Sequence, residues 1–317
     1  MLPETPDFWQ KNGLLSRLLL PFSWLYLAGH ILKTKTARPY KGSIPVICVG
    51  GLVAGGSGKT PVVHALLKLA RNDMKFENPV ILTRGYGGVV QGPSLVDVHH
   101  HNYMDVGDEA LLHAAHAPTI VSKDRAAGLR LAEAMGADLV IMDDGLQNSS
   151  IVKTISLAVI DAQYKFGNGQ ILPAGPLREP VSMAFAKCDA VILTNGETSI
   201  DHKNIFKTSL KIISENEKSR TYTGFAGLGQ PEKFRHTLEQ NGFKLSDFVS
   251  FPDHHPYTPE EILSLLERAG TNALITTQKD LVRIPAHLWN TIHTLNIELL
   301  FDDSASVCTL IRSRLGR

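Results

Sequence analysis

Three groups of side chains in this sequence could act together on a phosphate group. The first lies in the stretch VGGLVAGGSGKTP, residues 49–61, where Lys59 and Thr60 follow a glycine-rich turn. Glycines let backbone N–H groups turn toward an anion, a lysine at this place reaches the β- and γ-phosphates of a nucleotide, and a threonine hydroxyl ligates Mg²⁺. Val53 departs from the general phosphate-loop pattern, because it stands where that pattern has its first glycine. The stretch still predicts a loop that binds phosphate through Gly55, Gly56, Ser57, Gly58, Lys59 and Thr60.

The second group is a pair of carboxylates, Asp143 and Asp144, in the stretch ADLVIMDDGLQN. They directly follow an apolar run at residues 139–142, so they would emerge at the carboxyl edge of a parallel sheet, beside the loop. Adjacent carboxylates repel each other unless a cation intervenes, which favours an Mg²⁺-nucleotide site built from Thr60, Asp143 and Asp144. A solvated Asp-Asp-Gly turn is the alternative.

The third group comes from two segments that lie far apart in the chain. In VGDEALL, Asp108 and Glu109 stand at a predicted helix start, and in FPDHHPYT, His254 follows a predicted strand. Acidic residues also cap helices, and such a histidine turn can be purely structural, so both simpler interpretations stay open. Arg84 in TRGYGG and Arg178 in PLREP are cations that could offset phosphate charge.

These side chains require a fold that brings strand ends together. Apolar runs rich in branched residues alternate with helical segments, which predicts a parallel sheet with helices on both faces. We therefore predict an α/β fold with a P-loop NTPase-type sheet, followed by a smaller C-terminal α/β domain. The first predicted sheet has strands at residues 44–50, 79–83, 118–121, 138–142, 155–160 and 190–194. The predicted parts are N-terminal helices and a nucleotide-binding core at residues 1–205, a polar linker at residues 206–219, and the smaller domain at residues 220–317.

Charge and composition narrow the possible partners. The 317 residues carry a formal net charge of +1, so the chain has no whole-protein basic footprint and we expect no nucleic-acid partner. The N-terminal region differs, because residues 11–41 contain six basic side chains and no acidic one. Within it, residues 14–32 are mostly apolar but are interrupted by Arg17, Pro21 and His30. We expect two short helices separated at Pro21 that lie on a membrane surface, with packing on the protein's own core as the alternative.

The motifs together resemble those of the tetraacyldisaccharide 4'-kinase family, the lipid A 4'-kinases of Gram-negative bacteria. The resemblance covers nearly the whole chain and rests, in order, on GGSGKTP, LTRGYGG, VGDEA, SKDR, IMDDGLQN, NGQILPAGPLREP, FAGLGQPEKF, FPDHHPYT and TTQKDLVR. Family members usually have Asn-Leu-Thr where this chain has Gly51, Leu52 and Val53, and a histidine where it has Asn148. A missing first P-loop glycine is itself usual in the family.

The resemblance implies an enzyme that transfers the γ-phosphoryl group of ATP, with Mg²⁺, to the 4'-hydroxyl of a tetraacylated glucosamine disaccharide 1-phosphate. It implies that Asp108 is the catalytic base, that His254 is its partner, and that Lys59 acts on the phosphates. The implied partners are this lipid A precursor and the cytoplasmic face of the inner membrane, contacted by the N-terminal helices. A nucleotide-dependent switch or chaperone ATPase is the alternative from another class.

Overall fold

Two β-sheets organise the chain in the computed structural model, which describes residues 6–55, 58–214 and 217–316. The larger sheet contains β1 (Val46–Gly51), β2 (Pro79–Thr83), β3 (Ser94–Leu95), β4 (Thr119–Val121), β5 (Leu139–Met142), β6 (Ile155–Asp161), β7 (Ala190–Thr194), β8 (Ile205–Ile212) and β13 (Ile297–Phe301). The smaller sheet contains β9 (Thr221–Ala226), β10 (Lys244–Ser250), β11 (Ala273–Thr277) and β12 (Ile292–Leu295).

The strand order decides which segments meet. The larger sheet has the order β13-β8-β7-β6-β1-β5-β2-β4-β3, and the smaller has the order β10-β9-β11-β12. Neighbouring strands pair in parallel except at the two ends of the larger sheet, where β13 and β3 run antiparallel to β8 and β4. The prediction of a parallel sheet is confirmed. Because β1 lies between β5 and β6, the segments that follow β1 and β5 meet at one carboxyl edge.

The helices alternate with these strands along the chain. They are α1 (Leu14–Thr36), α2 (Lys59–Asn72), α3 (Tyr103–Val106), α4 (Asp108–Ala114), α5 (Arg125–Ala134), α6 (Val181–Lys187), α7 (Pro231–Gln240), α8 (Pro259–Ala269), α9 (Gln278–Leu281) and α10 (Ser304–Leu315). Short 3₁₀ turns lie at Asp7–Trp9 and Ala286–Thr291.

Helices cover both faces of the larger sheet, as predicted. Alternate residues of β1 point to opposite faces: Ile47 and Val49 pack with α2 and α10, whereas Val46 and Cys48 pack with α5. A further buried cluster joins β6 and β7 to α6. The smaller sheet is covered in the same way, by α7 on one face and α8 on the other. Burial on both faces explains why these strands are continuous apolar runs in the sequence.

Two segments that were predicted to lie outside the first domain join the larger sheet. The first half of the predicted linker at residues 206–219 belongs to β8, which pairs with β7 in the larger sheet. After the smaller sheet, β13 and α10 return to the larger one, where Ile311 packs in the same cluster as α2. Strand β8 has no fully buried residue and mixes apolar with polar side chains, so its residues carry a weak strand signal. The division into domains at these boundaries remains a proposal.

The N-terminal helix corrects one prediction. Helix α1 runs continuously through Pro21, where two short helices were expected. Proline inside a helix removes a backbone hydrogen bond and costs about 3 kcal/mol. Contacts on both sides offset that cost: the Ser16 hydroxyl accepts from the Gly13 N–H at 3.1 Å, and the Ser23 hydroxyl donates to the Ile171 carbonyl at 2.7 Å.

The apolar side chains of α1 face mostly outward. Leu18, Trp24 and Leu25 are 63%, 70% and 71% exposed, so they do not pack on the protein's own core. Among the described residues, α1 is the one helix that is long and apolar enough to cross a membrane. Helices of soluble proteins and signal sequences pass the same test, and the large exposed fraction separates α1 from an ordinary core helix.

Ser23→Ala is expected to loosen α1 from the rest of the protein. The buried Ser23 hydroxyl donates to the Ile171 carbonyl and accepts from the Ala174 N–H at 3.2 Å. Removing it leaves two backbone groups without this partner, which costs about 1–3 kcal/mol, so the α1 amides should exchange hydrogen faster. Thr34→Ala is the control, because the Thr34 hydroxyl bonds to His30 within the same helix. Equal exchange rates in the two variants would contradict the anchoring role.

Candidate active site

The glycine-rich segment joins β1 to α2 as a phosphate loop requires. Gly55 and Gly58 adopt positive φ angles of 107° and 72°, which side-chain-bearing residues rarely adopt. Gly58 is the N-cap of α2, so Lys59 and Thr60 occupy its first turn and backbone N–H groups point out of the helix start. Gly56 and Ser57, also predicted to bind phosphate, lie outside the described residues.

Val53 has a structural role that glycine would fill less well. It forms an antiparallel β-bridge with Leu177, and the adjacent Ala54 N–H donates to the Pro176 carbonyl at 2.8 Å. On the other side, the Arg178 N–H donates to the Leu52 carbonyl at 2.9 Å. Extended backbone of this kind favours a β-branched residue. The loop entry therefore holds the LPAGPLREP segment in place, and that segment brings Arg178 to the site.

The parallel pairing of β1 with β5 brings the carboxylate pair beside the loop. Asp144 lies with Oδ1 at 3.6 Å from Nζ of Lys59, and both of its carboxylate oxygens accept from Nη1 of Arg178, at 2.8 and 2.9 Å. Burial alone would raise the pKa of Asp144, but the charges of Lys59 and Arg178 outweigh it and hold the pKa below its usual value. Arg178 thus contacts a predicted metal ligand, while Arg84 is exposed just after β2.

Asp143 has the environment of a cation ligand. It is 1% exposed, its Oδ2 lies 3.1 Å from Nε2 of His113, and its Oδ1 has no hydrogen-bond partner among the described residues. A buried carboxylate oxygen needs a donor or a cation. Within the described ranges, no cluster of three or more His, Cys, Asp or Glu side chains could hold a metal by itself. Thr60, Asp143 and Asp144 therefore fit Mg²⁺, which binds through few protein oxygens together with phosphates and water.

Asp108, from the part of the chain around the larger sheet, contacts His254, which follows β10 of the smaller sheet. Asp108 begins α4 and is 3% exposed, and Nδ1 of His254 lies 2.8 Å from its Oδ2. Because an ionised carboxylate only accepts hydrogen bonds, His254 donates from Nδ1. The other oxygen, Oδ1, accepts from the Glu109 N–H at 2.8 Å, so a local backbone contact at the helix start is also present. The neighbouring His255 has the structural contact expected of a simple turn, because its Nε2 lies 3.0 Å from Oε1 of Glu261 in the first turn of α8.

Two cations from the smaller sheet compensate the buried charge of Asp108. Nζ of Lys279 lies 4.0 Å from its Oδ2 and 3.5 Å from Oε1 of Glu109, and Nε of Arg283 lies 3.8 Å from Oδ2. Burial would raise the pKa of Asp108, but the hydrogen bond from His254 and the charge of Lys279 lower it to about 2. Asp108 is consequently ionised at neutral pH.

Several site residues were missed by the interpretation of the sequence. Lys279 and Arg283 lie in TTQKDLVR, directly after β11, and their position behind a predicted strand was the available signal. Arg125, in SKDR, donates from Nη2 to the backbone carbonyl of Asp143 at 3.1 Å, and burial lowers its pKa to about 10. His113 lies just beyond VGDEALL, with no pattern that marks it as a partner of Asp143.

A phosphate loop, a carboxylate pair after the neighbouring strand, and a buried acid on a helix that also contacts Asp143 define a P-loop kinase. The family model described as tetraacyldisaccharide-1-P 4'-kinase matches residues 15–316. The chain belongs to the tetraacyldisaccharide 4'-kinase family.

Individual relatives are similar to this chain over nearly its full length. A tetraacyldisaccharide 4'-kinase of Paramagnetospirillum magneticum is 44% identical over 325 residues, covering 99% of each chain. One of Rhodospirillum centenum is 40% identical over 331 residues, covering 99% of this chain and 97% of the relative. The crystal structure of "apo" form LpxK from Aquifex aeolicus in complex with ATP has a TM-score of 0.78 and 28% identity, covering 95% of this chain and 99% of that one. The alternative of a switch or chaperone ATPase is not favoured.

Gly107→Ala is expected to displace Asp108 and to slow phosphoryl transfer. Gly107 has a φ of +87°, and a Cβ there would lie 2.2 Å from the Tyr86 carbonyl oxygen, so the backbone before Asp108 must shift. Misplacing a catalytic group by about 1 Å can cost about 100-fold in rate. The control is Gly136→Ala, which has a φ of +76° but no atom within 4 Å of the added Cβ. Equal losses of activity and thermal stability in both variants would indicate general strain instead.

Proposed function

We propose that this chain transfers the γ-phosphoryl group of ATP to the 4'-hydroxyl of a tetraacylated glucosamine disaccharide 1-phosphate in lipid A biosynthesis. The observation that carries the proposal is the buried Asp108, which pairs with His254 and lies on a helix whose His113 contacts Asp143. This arrangement supports an acceptor-side base on a helix that also reaches the proposed nucleotide site. The names of the full-length relatives support the choice of substrate.

The nucleotide side of the reaction uses the loop and the two strand ends. Backbone N–H groups from Gly55 to Thr60 would cradle the phosphates, and Lys59 would contact the transferred group. Thr60, Asp143 and Asp144 would hold Mg²⁺, which on binding neutralises charge on the β- and γ-phosphates. Arg178, now paired with Asp144, and the exposed Arg84 are the cations that would offset the remaining phosphate charge.

Asp108 acts on the sugar hydroxyl. Its ionised carboxylate accepts a hydrogen bond from the hydroxyl and orients that oxygen toward the phosphorus atom. A pKa of about 2 makes Asp108 a weak base, so the hydroxyl proton moves late, when the oxygen has become acidic through bonding to phosphorus. His254, donating to Oδ2, keeps the carboxylate in its orientation. In this mechanism Asp108 contributes positioning and late proton acceptance.

Asp108→Asn is expected to reduce kcat about 10²–10⁴-fold with little change in ATP affinity. The measurement is formation of the bisphosphorylated lipid from Mg-ATP and the disaccharide acceptor, alongside calorimetric ATP binding. The asparagine keeps the shape but loses the charge. Asp105→Asn is the matched control, because Asp105 accepts from the Asn102 N–H in its own turn.

Two results would contradict these assignments. If Asp108→Asn abolishes ATP binding while turnover per bound nucleotide persists, Asp108 belongs to the nucleotide site. If the folded wild-type protein binds ATP and hydrolyses it without phosphorylating the acceptor, the kinase proposal fails and a nucleotide-driven ATPase takes its place.

We further infer that α1 lies on the cytoplasmic face of the inner membrane. Its exposed apolar residues form a large surface that no other described segment covers, and Lys33 and Lys35 lie in its last turn. Such a helix binds an anionic membrane through both apolar and basic side chains. The acyl chains of the proposed substrate would hold it in the same membrane. The exposed apolar residues are Leu14, Leu15, Leu18, Phe22, Trp24, Leu25, Tyr26 and Leu32.

Replacing Leu18 and Leu25 together by glutamine is expected to weaken vesicle binding about 10-fold or more, because each buried leucine contributes about 1.5–3 kcal/mol. Co-sedimentation with vesicles of anionic phospholipid measures the effect. Leu263→Gln is the control, since Leu263 is a 51% exposed leucine on α8, far along the chain. Unchanged binding in the double variant would remove α1 as the membrane contact.

A further inference from the structure

A row of three histidines lies behind the carboxylate pair, and the proposed reaction does not use it. His113 is fully buried on α4, with Nε2 3.1 Å from Oδ2 of Asp143 and Nδ1 3.0 Å from Nε2 of His64 on α2. The ring of His64 contacts that of His116 at a tilt of 43°, with centroids 4.2 Å apart, and His116 is exposed. The row therefore connects the surface to Asp143.

The contact with Asp143 determines which ring nitrogen of His113 carries a proton. An ionised carboxylate only accepts hydrogen bonds, so Nε2 of His113 carries a proton and donates it toward Asp143. The second ring nitrogen of His113 is held by His64, so the ring is fixed at both ends. Burial, together with the neighbouring His113 and His116, lowers the pKa of His64 to about 2, so this ring is uncharged at neutral pH.

The contact with His113 leaves the other oxygen of Asp143 for a cation. Oδ1 has no hydrogen-bond partner in the part of the chain that the structure describes. Rotation of the carboxylate would break the bond from His113, so this bond keeps Oδ1 in place. Groups that hydrogen-bond to metal-ligating carboxylates act in this way and affect metal affinity strongly.

The two histidines also stand on the helices that carry the rest of the site. His64 lies about one turn after Thr60 on α2, and His113 lies between one and two turns after Asp108 on α4. The contact between them ties the phosphate-loop helix to the helix that carries the acceptor-side base. Both histidines lie outside the motifs on which the family resemblance rests.

We propose that His113 and His64 are positioning residues for Mg²⁺ binding: His113 holds Asp143 in its cation-binding orientation, and His64 holds His113. The inference rests on the proposed function, in which Asp143 ligates the Mg²⁺ that accompanies ATP. Neither histidine contacts the reacting atoms.

The test compares ATP affinity with and without Mg²⁺. In the wild-type protein, replacing Mg²⁺ by EDTA should weaken ATP binding measured by calorimetry. The ratio of the ATP dissociation constant in EDTA to that in Mg²⁺ measures this effect. His113→Leu should reduce the ratio about 10-fold or more, with ATP binding in EDTA unchanged. His113→Gln, which retains an N–H donor of similar reach, should restore most of the ratio. His64→Leu should give an intermediate loss, because His113 keeps its contact with Asp143.

A control variant and two contrary results distinguish the role of His113 from the proposed Mg²⁺ site itself. His116→Ala removes the outer ring, which is one step further from Asp143, and should leave the ratio unchanged. Equal weakening with and without Mg²⁺ in His113→Leu would assign His113 a merely structural role and overturn the inference. If the ATP affinity of the wild-type protein is the same with and without Mg²⁺, the proposed metal site itself is overturned.

A second measurement needs no substitution. In wild-type protein labelled with ¹⁵N-histidine, the His113 ring should show a protonated, hydrogen-bonded Nε2 in the absence of nucleotide. A ring that carries its proton on Nδ1 alone would overturn the proposed positioning of Asp143 by His113, even if His113→Leu does not fold.

Discussion

Asp108 is a buried carboxylate, and assembly of the site depends on how its charge is compensated. A buried charge without partners costs several kcal/mol. The partners of Asp108 come from the smaller sheet: His254 follows β10, and Lys279 and Arg283 follow β11. The larger sheet and its helices supply the Glu109 N–H but none of these three side chains. The lowered pKa of Asp108 is therefore a property of the two sheets packed together.

Strand order explains which parts of the molecule could be predicted from the sequence. Strands buried on both faces are apolar runs, so β1, β2, β5, β6 and β7 could be located within a few residues. Parallel pairing then brings the ends of β1 and β5 together, which is why Lys59 and Asp144 could be expected to lie close. The mismatch at Val53 was compatible with a phosphate loop because residue 53 is extended backbone paired with Leu177.

Other features depend on contacts between distant segments, and these leave little local signal. A polar stretch after a strand cannot by itself distinguish a surface lysine from Lys279, which faces Asp108. Helix α1 continues through Pro21 with an anchor at Ile171, far along the chain. Strand β8 is half-exposed, and its partner β13 comes after the smaller sheet, so its membership of the larger sheet requires knowledge of the whole topology.

The contact between the two sheets has a composition suited to opening and closing. Besides the cations around Asp108, Lys233 of α7 lies with Nζ 2.7 Å from Oδ2 of the buried Asp161 at the end of β6. Helix α9 packs on α4 nearby, with Val282 against the cluster around Val106. Ion pairs lose less on separation than apolar contacts, because both charges regain hydration. We therefore expect substrate binding to drive closure. The closed state would exclude water from the phosphoryl group and would bring His254 and Lys279 to Asp108.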